Sequence, residues 1–189
     1  MRTIFTFFIF CFFVGCKNNA NDNPHVQIVT GFGDIEIELY PKQAPKTVAA
    51  FLKNIDAGLY KNIQFYRVLK NEDLEPQTNY GIIQGGVWPK DSTVQTIPLE
   101  STKLTGLSHT SGTLSMARKS GAQATSEFFI CIGEQKTLDA GGDLPDDKLG
   151  FAAFGKVVSG MDVVRKIQDQ KNAGENFIKN IDIENIEKL

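Results

Sequence analysis

Residues 25–189 predict a single domain dominated by β-structure, an antiparallel barrel with two helices. Three observations carry this. Short runs rich in Val, Ile, Phe and Tyr recur along the chain, only two segments show helical periodicity, and strands do not alternate regularly with helices as a parallel sheet requires. With 189 residues and 41% hydrophobic content, the chain is long enough for one well-filled core. The formal net charge is −2 and the basic residues are scattered, so the electrostatic footprint of a nucleic-acid-binding protein is missing.

The first 24 residues read differently. Met1-Arg2-Thr3 leads into the apolar run Ile4 to Val14, the layout of an export signal and too short for a comfortable membrane span. The run ends Phe13-Val14-Gly15-Cys16, which resembles a bacterial lipoprotein box. This expects residues 1–15 to be removed and Cys16 to carry lipid; ordinary cleavage and an uncleaved anchor are the alternatives. Residues 16–24 hold no large apolar side chain and read as a tether. The expected location is the cell envelope, with the chain anchored to a membrane at its periplasmic face or surface.

From His25 onward the elements follow in order. Val26 to Val29 and Ile35 to Tyr40 form a hairpin across the turn Gly31-Phe32-Gly33-Asp34, because Ile35, Ile37 and Leu39 alternate with Glu36 and Glu38. Val48, Phe51, Leu52 and Ile55 recur at helical spacing before Gly58. Strands are then expected at Phe65 to Leu69, Gly81 to Gly86, Ile97 to Leu99, Thr113 to Ala117, Glu127 to Ile132 and Phe154 to Val158. A second helix runs from Met161 to about Gln168, and a last strand spans Ile178 to Ile186.

Two of these strands carry a polar side chain that needs an explanation. A guanidinium is expensive to desolvate unless its donors find partners, yet Arg67 lies in the run Phe65-Tyr66-Arg67-Val68-Leu69. Gln84, in Gly81-Ile82-Ile83-Gln84-Gly85-Gly86, can supply an acceptor if the strands are neighbours. Two-residue periodicity puts Arg67 with Phe65 and Leu69, and Gln84 with Ile82. In Glu127 to Ile132 it separates Phe128, Ile130 and Ile132, read as core, from Glu127, Phe129 and Cys131, whose face is shared with Arg67. The bland alternative is a structural or snorkelling arginine.

These stretches resemble the cyclophilin-type peptidyl-prolyl cis-trans isomerases. Five blocks in the family's order carry the likeness: Phe65-Tyr66-Arg67-Val68, Ile83-Gln84-Gly85-Gly86, Gly112-Thr113-Leu114-Ser115-Met116-Ala117-Arg118, Ser126-Glu127-Phe128-Phe129-Ile130 and Phe154-Gly155-Lys156-Val157. The resemblance implies a closed eight-stranded barrel capped by two helices, packed solid so that ligands bind outside, and an isomerase acting on proline-containing polypeptides without cofactor or metal. It implies Arg67 as donor to the prolyl nitrogen, oriented by Gln84. Ile82, Phe129 and Leu138 would line the proline pocket, with Ala117, Arg118, Glu127 and Phe151 at the peptide groove. A catalytically weak proline-peptide-binding chaperone on the same fold is the alternative function, and a monomer is expected.

Departures from the family's pattern add expectations. Gly81 stands where a pocket Phe is usual, so a wall is missing unless Tyr80 or the preceding loop supplies it, and restored activity in Gly81→Phe would implicate that wall. Glu127 replaces the commoner Gln and is expected to draw Arg67 into an ion pair. Phe151 takes a position often held by His or Tyr, and Thr137 one often held by Trp. The stretch Lys70 to Tyr80, with Pro76, reads as an inserted loop. Asp139 to Asp147 is a second loop with four carboxylates but without the spacing of a calcium loop ending in Glu. Cys131 reads as a packed thiol, and neither His25 nor His109 shows a partner suggesting triad chemistry.

Overall fold

The computed structural model describes residues 23–71, 79–87 and 95–189. The expected signal, the expected lipidation site at Cys16, most of the expected tether and the centre of the loop expected before Tyr80 lie outside these residues. Among the described residues nine strands form: β1 His25–Thr30, β2 Gly33–Leu39, β3 Ile63–Leu69, β4 Gly81–Gly86, β5 Thr113–Met116, β6 Glu127–Ile132, β7 Ala152–Ser159, β8 Asn172–Ala173 and β9 Asn176–Lys188. The helices are α1 Pro45–Asp56, α2 Thr102–Thr105 and α3 Met161–Gln168. Neighbours in the sheet run β1-β2-β7-β5-β6-β4-β3-β9, and β1 pairs with β9 to close the ring. Eight antiparallel strands therefore make the barrel, with α1 and α3 as its two longer helices. The two-residue β8 is a small addition hydrogen-bonded to β9.

Hydrophobic periodicity explains why the ring closes on a dry centre. Ile35, Ile37 and Leu39 of β2 point inward, as do Val26 and Ile28 of β1 and Phe128, Ile130 and Ile132 of β6. Phe51, on the buried stripe of α1, meets Tyr60, Phe128 and Phe154 at ring-centroid distances of 5.0, 5.9 and 5.1 Å. Offset and edge contacts of this kind add to area burial. Val163, Val164 and Ile167 of α3 join the same core. With these side chains filling the interior, any ligand groove has to lie on the outside.

The hairpin, both longer helices and the alternating core face of β6 agree with the sequence reading. The strand expected at Ile97 to Leu99 reduces to one bridge between Ile97 and Ala124. Helix α2 is a single turn closed by Gly106 in the left-handed conformation, too short to leave a periodic signal.

The strict alternation expected in β3 fails. Pairing with β4 runs Phe65 to Gly85 and then Arg67 to Gln84, leaving Tyr66 as the extra residue of a bulge. Phe65 consequently belongs to the interior with Val68, and does not share a face with Arg67. Gly85 permits the close packing: a Cβ there would sit 2.6 Å from the Gln64 carbonyl oxygen and 2.9 Å from the Phe65 ring. The bulge sends the side chains of two consecutive residues, Tyr66 and Arg67, toward one groove.

Candidate active site

Outward-facing residues of β4 and β6 build a second, smaller apolar cluster. Ile82, Phe129, Cys131 and Leu138 form it, and Leu69, Ala117 and Phe151 pack against it. Antiparallel register places Ile82 opposite Cys131 and Gln84 opposite Phe129. Above the cluster lies an open groove of about 750 Å³, which also meets Tyr66, Arg67, Gln84, Arg118 and Glu127. All nine groove residues expected from the sequence thus converge on one place.

Arg67 enters from the β3 bulge. Its Nη1 donates to Gln84 Oε1 at 2.9 Å, as the register of the two strands predicts. Its carboxylate partner is Glu175: Nε and Nη2 both donate to one oxygen of that residue, at 2.9 and 2.7 Å. The expected pairing with Glu127 does not form. Glu127 instead accepts a short hydrogen bond from the Tyr66 hydroxyl, which also receives Gln84 Nε2 at 2.9 Å. Tyr66 stands between Glu127 and Gln84, which is why the ion pair anticipated there is diverted.

The order of donors follows from this chain. An ionised Glu127 can only accept, so Tyr66 donates to it and offers its lone pairs to the Gln84 amide. The Gln84 carbonyl is left facing Arg67. Burial pushes the Glu127 carboxyl above its usual range, although Tyr66, Lys119 and Arg67 oppose that shift. Burial and the adjacent Glu127 carboxylate push the Tyr66 phenol up, so it stays protonated at neutral pH.

Behind the apolar slot stands a polar group the sequence reading missed. His109 is fully buried, with Nδ1 2.6 Å from Asp139 Oδ1 and Nε2 2.9 Å from Ser115 Oγ. The expectation that His109 has no such partners is corrected here. Ser115 is itself completely buried, so the geometry resembles a hydrolytic triad without an accessible nucleophile. Its consequence is mechanical: the imidazole stacks on Phe129 with centroids 5.9 Å apart, and Phe129 meets Phe151 edge-on at 5.3 Å. Burial lowers the His109 pKa despite Asp139 pulling the other way. Burial also pushes the Cys131 thiol up, in keeping with a packed, unreactive side chain.

Arg118 is neither solvated nor free. Its Nε donates to the Gly150 carbonyl at 2.8 Å, and Nη1 and Nη2 form a fork on Asp147 at 2.7 and 2.6 Å. This ties the acidic loop to the groove, bringing Leu144 and Pro145 to its edge. Two of the loop's carboxylates, Asp139 and Asp147, are thereby used inside the protein.

Of the two expectations for the missing wall, the loop lies mostly outside the described residues, and Tyr80 does not supply it. Leu69 packs against the apolar cluster, whereas the half-exposed Tyr80 is not among the groove residues. Gly81 has φ of +137°, and a Cβ on it would lie 1.9 Å from the Leu69 carbonyl oxygen. Gly81→Phe is therefore a disruption rather than a repair. Leu69 and Tyr66 were open to inference as neighbours of Arg67; Glu175 and Leu144, distant in sequence and in turns, carried no local signal.

The match to the family model described as cyclophilin type peptidyl-prolyl cis-trans isomerase/CLD covers residues 25–188. A peptidyl-prolyl cis-trans isomerase of Acinetobacter baylyi is 34% identical over 166 residues, spanning 86% of this chain and 81% of the relative. Peptidyl-prolyl cis-trans isomerase B of Escherichia coli is 35% identical over 142 residues, spanning 74% and 80%. A crystal structure of a Cryptosporidium parvum cyclophilin type peptidyl-prolyl cis-trans isomerase superposes with a TM-score of 0.70 at 25% identity, covering 88% of this chain and 98% of that one. Another structure of that protein, in the presence of the dipeptide Ala-Pro, has a TM-score of 0.68 at 25% identity and covers 86% of this chain and 97% of that one. Barrel, outer groove and sequence likeness lead to one conclusion: the chain belongs to the cyclophilin-type peptidyl-prolyl cis-trans isomerases and is an isomerase of that class.

Proposed function

We propose that this isomerase acts in the cell envelope on exported, unfolded or loosely folded polypeptides, with Arg67 as the donor that loosens the prolyl amide. The observation that carries the reading is the Arg67 guanidinium, held by Gln84 at the rim of an apolar slot made by Ile82, Phe129 and Leu138. The amide nitrogen's lone pair is delocalised into the carbonyl, giving a rotation barrier of about 18–20 kcal/mol. Uncatalysed X–Pro exchange takes roughly tens to hundreds of seconds. A donor to that nitrogen localises the lone pair and weakens the double-bond character, while the apolar slot holds the proline ring.

Bringing such exchange to milliseconds needs a barrier lowered by roughly 5–6 kcal/mol. A charged donor aimed at the twisted amide, beside an apolar slot, supplies a large share: single preorganised donors contribute about 3–4 kcal/mol. Binding biased toward the twisted form adds the rest. Ala117, Arg118, Glu127 and Phe151 border the path of the flanking peptide. No covalent step enters, and one chain completes the groove, so the reading requires no partner subunit.

The envelope location rests on the apolar run Ile4 to Val14 and on Cys16 directly after Val14-Gly15. Labelling cells with a clickable fatty acid should mark the wild-type chain and leave Cys16→Ser unmarked in the soluble fraction. Equal labelling of both would remove the lipid anchor from the proposal. For the chemistry, cis-to-trans exchange of an Ala-Pro peptide followed by NMR should accelerate with the wild-type chain. A chain that binds the peptide without accelerating exchange would favour a proline-peptide chaperone instead.

A further inference from the structure

Beyond the groove itself, we infer that Glu175 is a positioning residue for Arg67, and that β8 and its turn exist in this chain to hold that carboxylate. The inference rests on the reading of Arg67 as donor. Arg67 has five N–H donors. Glu175 takes Nε and one hydrogen of Nη2, and Gln84 takes one of Nη1, leaving one N–H on each terminal nitrogen. With Gln84 alone, a half-open guanidinium could still swing about a single hydrogen bond. A second anchor across the Nε edge fixes its plane and turns the two remaining donors as a set.

The backbone around Glu175 is built to keep the carboxylate there. Asn172 and Ala173 pair with Phe177 and Asn176, and Gly174 makes the turn between them with φ of +58°. The Asn172 side chain donates to the Gly174 carbonyl at 2.8 Å. The Glu175 carbonyl accepts the Val68 amide at 2.8 Å, one residue beyond Arg67, and Asn176 stands opposite Arg67 in the ladder between β9 and β3. The turn is thus stitched to the strand that carries the donor. The Glu175 side chain is 59% exposed, so solvent ions reach the pair.

The test compares the full chain with Glu175→Gln and Glu175→Asp in a prolyl-peptide exchange assay. The neutral isostere should lose about three- to tenfold in kcat/KM, the loss falling on kcat with KM unchanged, because a misaimed donor affects the twisted amide and not the proline slot. Raising salt shortens the screening length from roughly 10 Å at 0.1 M to roughly 3 Å at 1 M. The wild-type rate should then fall toward that of Glu175→Gln, which itself stays constant, while Glu175→Asp recovers part of the loss. An equal or faster Glu175→Gln enzyme overturns the inference. A readout independent of activity is the ¹⁵N spectrum of the Arg67 side chain: its terminal nitrogens should be resolved in the wild type and merged in Glu175→Gln. Unchanged resolution in the variant also overturns it. Should Arg67→Ala retain full activity, the donor reading fails by itself, and the spectrum still decides whether Glu175 orders the guanidinium.

Discussion

Two arginines meet the same groove, each beside a carboxylate, and they do different work. The Arg118 side chain is 2% exposed; its donors go to Asp147, Gly150 and the carbonyls of Lys119 and Ala122, so little is left for a substrate. Arg67 is 34% exposed and spends three donors on Gln84 and Glu175. What separates the guanidinium that fastens a loop from the one proposed as donor is therefore the number of donors its neighbours leave unspent, not the presence of an acidic partner. The same count explains why Arg118 borders the groove while serving to fasten a loop.

Substitutions test this contrast directly. Arg67→Ala should lower kcat/KM by roughly two to three orders of magnitude with the melting temperature nearly unchanged, as for other preorganised donors. Peptide exchange and circular dichroism on the same sample would measure both; a rate within a factor of three of wild type would remove Arg67 from the chemistry. Gly81→Phe, which drives a side chain into the Leu69 carbonyl, should cost more than about 1 kcal/mol of stability. It should also lower the rate, and a gain in rate would contradict the packing described for Leu69.

Arg118→Ala should show the reverse of Arg67→Ala. We expect a melting temperature lower by roughly 5–10 °C, because the partner groups of a largely buried cation are left unsatisfied. The rate should fall only a few-fold as Leu144 and Phe151 loosen. Arg118 and the backbone amides of Gly121 and Leu149 hold the Asp147 carboxyl well below the usual carboxylate range. The protection of the Asp143 to Leu149 loop amides, taken relative to the intrinsic exchange rate at each pH, should therefore stay unchanged in mild acid and fall only when the pH drops far below ordinary carboxylate values.

The smallest expected effect concerns the support behind Phe129. Burial keeps His109 neutral below its ordinary value of 6.5, whereas the unfolded chain takes up the proton there. The unfolded state then binds more protons, so stability falls as pH drops through and below that value and levels off above it. Denaturant titrations from pH 5 to 8 should show this slope in the wild type and a shallower one in His109→Asn. An identical slope would assign it to another group.

Much of this was legible along the chain because barrel strands write their burial in a two-residue code. Ile35, Ile37 and Leu39 told their face, and so did Phe128 against Phe129, since a strand buried on both sides but charged on one has a single way to sit. The neighbourhood of Arg67 and Gln84 also followed, as each needs a polar partner on an apolar surface. The bulge at Tyr66 did not follow: it depends on β4 presenting Gly85 where Phe65 must pass, which is a relation between strands.

Local alternation and the cost of an unpaired buried charge thus established the barrel class and the open face shared by Arg67, Glu127 and Phe129 before any coordinates, while the family resemblance supplied the remaining groove residues. The identities of the acids that serve each arginine, the buried His109 contacts and the role of Leu69 as a wall were settled by folding alone. Such contacts join residues far apart in sequence, Arg67 and Glu175 above all, and side-chain hydrogen bonds have no period by which a linear pattern could announce them.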